Sequence, residues 1–351
     1  VKYSVLILGA SYGSLLGTKL LMAGHRVTLV CTKPTAELIN REGTVVRFPV
    51  RGHESLIEVA SKALPGALGA ATPDQVDPGA FDLVVLGMQE GQYCSRGVRE
   101  LMGRVARARK PCFAIMNMPP LPYLKRIPGL STEALEGCYA DPRVWDGFDP
   151  ALTTLASPDP QAFRPADQPK NVLQVGLPTN FKAARFEAEA PTALLRSLET
   201  DIERTSAEIP VKLKVHDSIF VPLAKWPMLI AGNYRCIRPS DMIPIREAVH
   251  GNVAKSREIY DWVATLCHRL GAEAGDLVPF EKYAKAAEGL GKPSSAARAL
   301  FGGAEHIERV DSLVRRIARQ LGFDSDTLHE IVTLVDERLG RNRMAREQVA
   351  A

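Results

Sequence analysis

The chain has 351 residues, 46% of them hydrophobic and 24% charged, a composition that excludes a disordered polypeptide and allows two buried cores. Its 44 Lys and Arg against 40 Asp and Glu give a formal charge of +4, too small and too evenly spread for a nucleic-acid surface, whereas a small anionic substrate stays compatible with it. Six cysteines with no C-x-x-C pair, and seven histidines not spaced with them as ligands, argue against a metal site and for a reducing cytoplasm.

In chain order, residues 5–8 form a short aliphatic run, residues 14–23 carry helical apolar spacing and residues 26–30 form a second strand, together a βαβ unit. Nothing precedes it that reads as a signal peptide, and no apolar run approaches the roughly 18 residues of a membrane span, so neither leader nor anchor is expected. Residues 81–86 and 111–116 read as buried parallel strands flanking a helix over 95–108. Residues 118–170, rich in Pro, Gly and Asp, read mainly as loops and short strands, and strand character resumes over 171–178. From about Asp217 the pattern turns helical, with periodic stretches at 256–271 and 304–322 that both end on glycine. The expected fold is α/β: an N-terminal Rossmann-type doubly wound sheet over 1–215 followed by a mainly α-helical domain over 216–351.

The turn "GASYGSLLG" places Gly9, Gly13 and Gly17 between strand and helix, one residue short of the G-x-G-x-x-G spacing. A dinucleotide site needs backbone without Cβ beside the pyrophosphate and a helix N-terminus offering free N–H groups. Gly9 suits the tight turn, Gly13 the close approach and Gly17 the packing of helix on strand, while Ser11, Tyr12 and Ser14 lie where hydroxyls reach phosphate. The plainer reading is a glycine-punctuated turn that binds nothing. After the second strand come Thr32 and Lys33, with no acid until Glu37. A cation there accepts a 2′-phosphate where an acid would bind a 2′-OH, so NADP(H) is expected over NAD, unless Lys33 is simply a solvated lysine.

"ILGASYGSLLGTKLLMAGHRVTLV", the Asn117 of "AIMNMPP" and "KPSSAARALFGGAEHIERVDSLVRRIARQLG" together resemble ketopantoate reductases (2-dehydropantoate 2-reductases), with their 6-phosphogluconate dehydrogenase-like C-terminal domain. The resemblance spans nearly the whole chain. It implies reduction of a 2-oxo acid to a 2-hydroxy acid by hydride transfer from NADPH, with a lysine protonating the carbonyl oxygen, in a cytoplasmic homodimer without nucleic-acid or membrane partners. Asn117 matches the family's asparagine near nicotinamide and substrate, and Ser294 and Ser295 match hydroxyls that face the substrate carboxylate.

Two registers fit the family's lysine helix. In one, Lys225 is the proton donor and Asn233 the second substrate-facing asparagine. In the other, Trp226 is the anchor and the three positions become Met228, Gly232 and Cys236. His306 falls where the family has its glutamate and is a second candidate donor. Met88 and Gln89 stand where the family often has lysine, which points to an altered substrate. Two alternatives stay open: an opine-type imine reductase, and a non-catalytic NADP(H) sensor.

Overall fold

Residues 5–8, 83–86 and 112–115 are buried apolar runs without polar alternation, the pattern of parallel strands covered on both faces. In the computed structural model, which describes residues 1–205 and 208–350, the last two by backbone alone, these runs form the centre of one sheet. The chain divides into two compact units.

The first unit comprises Val1–Met88, Gln92–Arg126 and Arg143–Pro222. Its elements are β1 (Ser4–Leu8), α1 (Gly13–Met22), β2 (Arg26–Val30), α2 (Lys33–Glu42), β3 (Val45–Phe48), β4 (Ile57–Ala60), β5 (Ala67–Ala71), β6 (Leu83–Leu86), α3 (Val98–Ala108), β7 (Cys112–Ile115), α4 (Leu121–Leu124), β8 (Thr153–Ser157), β9 (Gln161–Phe163), β10 (Val172–Leu177), β11 (Phe181–Ala184), α5 (Glu189–Glu203) and β12 (Leu213–His216). The main sheet runs β12-β11-β8-β7-β6-β1-β2-β5, parallel except at β11–β8, and a second sheet runs β4-β3-β10-β9. This is the expected Rossmann-type α/β fold. Helix α1 is buried on nearly every face, because it lies in a core shared with α5 and the second sheet. Its charged residue is Lys19, 2% exposed, whose Nζ donates to Ile209 O at 2.9 Å and whose pKa burial pulls down to about 8.

The loop-like stretch 118–170 contributes more than expected. Residues 153–157 ("TTLAS") are fully buried and pair in parallel with β7, so a central strand lay hidden in Pro- and Asp-rich sequence.

The second unit comprises Gln89–Gly91, Ile127–Pro142 and the chain from Leu223 onward. Two of these segments thus precede the expected boundary at 215/216. Its helices are α6 (Lys225–Met228), continued by a π-helical turn (Leu229–Asn233), then α7 (Ile245–His250), α8 (Val253–Leu270), α9 (Phe280–Ala287), α10 (Ser295–Phe301), α11 (Val310–Gln320) and α12 (Asp326–Ala350). Helix α8 buries Ile259, Tyr260, Val263, Leu266, Cys267 and Leu270 and ends on Gly271 at φ +119°, as its periodicity and terminal glycine predict. The helix expected over 304–322 begins only at Val310. Residues 304–309 are non-helical, because Ile307 and Glu308 turn inward and Arg309 is drawn into a bidentate pair with buried Asp311 at 3.0 Å. Among the described residues no helix is long and apolar enough to cross a membrane, and no group of three or more His, Cys, Asp or Glu could hold a metal ion.

Candidate functional site

At the end of β1 the chain turns through Gly9 at φ +104°, a conformation that glycine adopts without strain. Its N–H donates to Val30 O at 2.9 Å, and a Cβ there would fall 2.6 Å from Met88 Cγ and 3.0 Å from Gly87 O. Gly9 therefore serves the tight turn. The roles expected of the next two glycines change. A Cβ on Gly13 would lie 2.6 Å from Ile7 Cγ2, so Gly13 seats α1 on β1, whereas one on Gly17 would meet nothing nearer than 3.5 Å.

The hydroxyls divide likewise. Ser14 is 3% exposed and its Oγ donates to Ala10 O, which corrects its expected use as a phosphate donor: the group is committed to the backbone of the turn that precedes its helix. Ser11 is exposed. Tyr12 does not reach outward: its hydroxyl donates to Pro160 O at 2.6 Å, its ring stands edge-on to Phe181 at 5.8 Å, and burial raises its pKa well above the ordinary value. The turn thus offers anions the backbone amides at the start of α1 and the positive end of the helix.

Where β2 ends, Thr32 and Lys33 are both exposed, Thr32 Oγ1 bonds Thr35 Oγ1 at 3.1 Å, and the first turn of α2 holds no acid. Between them and the strand, burial pushes the Cys31 thiol up to about 11 while the Arg164 guanidinium opposes that shift. Arg164 gave no sequence signal, since it lies far along the chain in the loop-like stretch. Asn117, two residues past β7, is half-buried with Oδ1 fully so.

In the helical unit, Lys225, Met228 and Asn233 are half-buried, whereas Gly232 and Cys236 lie in the core. A Cβ on Gly232 would collide with Tyr283 Oη, and Cys236 Sγ donates to Gly232 O. An eight-residue step is about 2.2 turns of α-helix, and the wider π-helical turn underwinds it toward two, so Lys225 and Asn233 come round to one face. Ser294 is not an open hydroxyl: it is 2% exposed, caps α10 by accepting from Ala297 N at 3.1 Å and donates to Asn233 O at 2.7 Å. Its expected contact with substrate is replaced by the holding of Asn233. Ser295 is exposed.

His306 is exposed on the non-helical segment 304–309. Helix α12 ties that segment down: Asn342 Nδ2 donates to Leu300 O and Ala304 O at 2.8 Å, and Arg343 to Glu305 O at 3.2 Å. Gly91 abuts His306, a Cβ there lying 3.5 Å from the His306 Cβ. Beside it Glu90, 3% exposed, accepts Ala140 N–H on both oxygens at 3.2 Å, and its own N–H donates to Glu308 Oε1 at 3.4 Å. Burial raises its pKa to about 7, opposed by the Ala140 amide and helped by Glu308 and Asp141. Sequence reasoning passed over Glu90, because nothing in "MQEGQ" marks a carboxylate as buried.

A parallel sheet with a positive-φ glycine turn opening its first helix, followed by a helical unit, defines a Rossmann-type fold with a helical C-terminal part. Solved structures share it over nearly the whole chain. A ketopantoate reductase of the PanE/ApbA family from Ralstonia eutropha JMP134 matches at 15% identity and a TM-score of 0.64, covering 97% of this chain and 99% of that one. D-mandelate dehydrogenase, solved with NADH and anilino(oxo)acetate, matches at 13% identity and 0.66 over the same shares. A dimeric ketopantoate reductase from Staphylococcus aureus matches at 12% identity and 0.60, covering 97% and 99%. No family model matches the sequence, and no curated protein matches it.

Proposed function

We propose that this chain is an NADPH-dependent reductase of 2-oxo acids, a distant relative of ketopantoate reductase. The observation that carries the reading is the bare-backbone turn at Gly9, which brings the N-terminus of α1 to the carboxyl edge of a parallel sheet. The fold shared with ketopantoate reductases and D-mandelate dehydrogenase supports it.

The residues present fit a dinucleotide. The amides at Tyr12 and Gly13 and the exposed Ser11 suit a pyrophosphate, and Thr32 and Lys33, without an acid, suit a 2′-phosphate. Once bound, the cofactor supplies a hydride to the carbonyl carbon of the substrate. Lys225 gives a proton to the carbonyl oxygen as it becomes an alkoxide, help worth about 10²–10⁴ in rate. Asn233, on the same helix face, donates a hydrogen bond to that oxygen. Asn117 orients the reactants from the end of β7, and Ser295 meets the substrate carboxylate. His306 is the alternative donor of that single proton, in place of Lys225.

The test is a scan of 2-oxo acids with NADPH and NADH. Turnover favouring NADPH is expected, falling about 10²–10⁴-fold in Lys225→Met with cofactor affinity kept. Turnover only with an added amine would make the protein an imine reductase instead. Tight cofactor binding with no turnover on either substrate class would make it a sensor. The dimeric relative extends the same reading to a homodimer. Sedimentation as a monomer at assay concentration would remove that part.

A further inference from the structure

Arg164 follows β9 directly and is half-buried. Among the described residues it makes no ion pair and no carboxylate acts on it; the titratable group acting on it is the Cys31 thiol, which burial keeps protonated, and burial pulls the pKa of Arg164 itself down. Burying a cation is costly unless an anion compensates, so this position is short of a negative charge. Lys33, exposed at the start of the ten-residue α2, likewise makes no ion pair among the described residues. The positive end of α2 adds to the charge of Lys33.

The path of the chain says which anion fits. Pro160 O is fixed on the hydroxyl of Tyr12 in the glycine turn, and Ala162 packs on the core. Phe163 is held in register with Gln174 of β10. Four residues after Pro160, within about 13 Å of extended chain, comes Arg164, near enough for its guanidinium to act on the Cys31 thiol that follows β2. One short segment therefore runs from the turn proposed to hold the pyrophosphate to the strand end where an adenosine ribose would lie.

We infer that Arg164, delivered from β9, forms with Lys33 an anion site that takes the 2′-phosphate of the adenosine and sets the preference for NADPH over NADH. This rests on the cofactor reading above. A guanidinium grips phosphate oxygens through a planar fork of donors, which an ammonium cannot reproduce, so Arg164 carries most of the discrimination.

Calorimetric titration of NADPH and NADH into the full chain, Arg164→Met, Arg164→Lys and Lys33→Met tests it. The NADPH dissociation constant is expected to rise about 10- to 100-fold in Arg164→Met, less in Arg164→Lys, with that for NADH unchanged. Arg164→Met keeps the apolar stem, and among the described residues Arg164 has no hydrogen bond to lose, so the variant should fold; Lys33→Met should shift NADPH alone by a smaller factor. Equal weakening of both cofactors would show that Arg164 stacks on the base or braces the fold, and no change in either would show that it faces no ligand. Both results overturn the inference. Unmodified protein that binds NADH as tightly as NADPH would overturn it while leaving the dinucleotide site standing. Protein that binds neither would remove both.

Discussion

A carboxylate that is 3% exposed, with a second carboxylate as neighbour, holds its proton into the neutral range, and Glu90 is so placed. Its pKa rises from an ordinary 4.5 to about 7, burial being the largest cause. Between those values the folded chain keeps a proton that the unfolded chain has released. Stability attached to this group is therefore present below pH 4.5 and lost as the pH climbs through 7. The full shift corresponds to roughly 3 kcal/mol as an upper bound. Glu90→Gln preserves an acceptor for the Ala140 amide and removes the charge. Urea unfolding should show the variant more stable than the parent above pH 7 by about 1–3 kcal/mol, with the fall between pH 5 and 7 flattened. Parallel pH profiles for the two proteins would mean that Glu90 is not the group that titrates.

Helix α1 meets β1 tightly at Gly13 and only loosely at Gly17. A Cβ on Gly13 would sit 2.6 Å from Ile7 Cγ2, on a rigid β-branched side chain in the centre of the sheet, so Gly13→Ala must push helix from strand. Overpacking of that kind costs about 1–3 kcal/mol. Gly17→Ala meets only ordinary contacts, from 3.5 Å outward, and gains roughly 0.5–1 kcal/mol of helix propensity. Denaturant midpoints should move in opposite directions for the two variants, and a shared direction would refute this account of the packing. The glycine spacing in the sequence announced a strand–turn–helix, which was correct, but it could not say which glycine faces which neighbour, because that depends on side chains across the sheet. The buried parallel strands and α8 were legible for a simple reason: their apolar periodicity is local. β8 was not, since "TTLAS" has little apolar area of its own and becomes a strand only when β7 and β11 flank it. The inward turn of residues 304–309 was equally hidden, because an amphipathic period continues through them while Asp311, Asn342 and Arg343 fix their backbone otherwise. The eight-residue spacing of Lys225 and Asn233 could be read from the sequence, beside the register through Met228, Gly232 and Cys236, but the π-helical turn between them has no sequence mark.

At the scale of the whole molecule, the two units are not two consecutive lengths of chain. The helical unit takes residues 89–91 and 127–142 from within the span of the first. These are working parts of its core. Leu135 and Cys138 are buried in the segment that packs on α11. Arg316 donates to Ala134 O at 3.1 Å, and Gln320 exchanges hydrogen bonds with Ser131 at 2.9 and 3.0 Å. Glu90 brings the carboxylate that meets Ala140. A fragment starting at residue 216 therefore lacks one wall of its own core and exposes the apolar side of α11, where Leu313, Val314 and Ile317 are fully buried in the intact chain. Its helices retain their local propensities, so far-ultraviolet circular dichroism should still report them. What is lost is specific packing, so the fragment should bind a hydrophobic dye and melt without a sharp transition. Adding a peptide of residues 127–142 should restore part of the cooperativity, because the missing wall packs on α11 through residues contiguous in that peptide. A sharp, dye-silent melt of the 216–351 fragment alone would show that the helical unit closes its core without the earlier segments, and the expected boundary at 215/216 would then divide two independent domains.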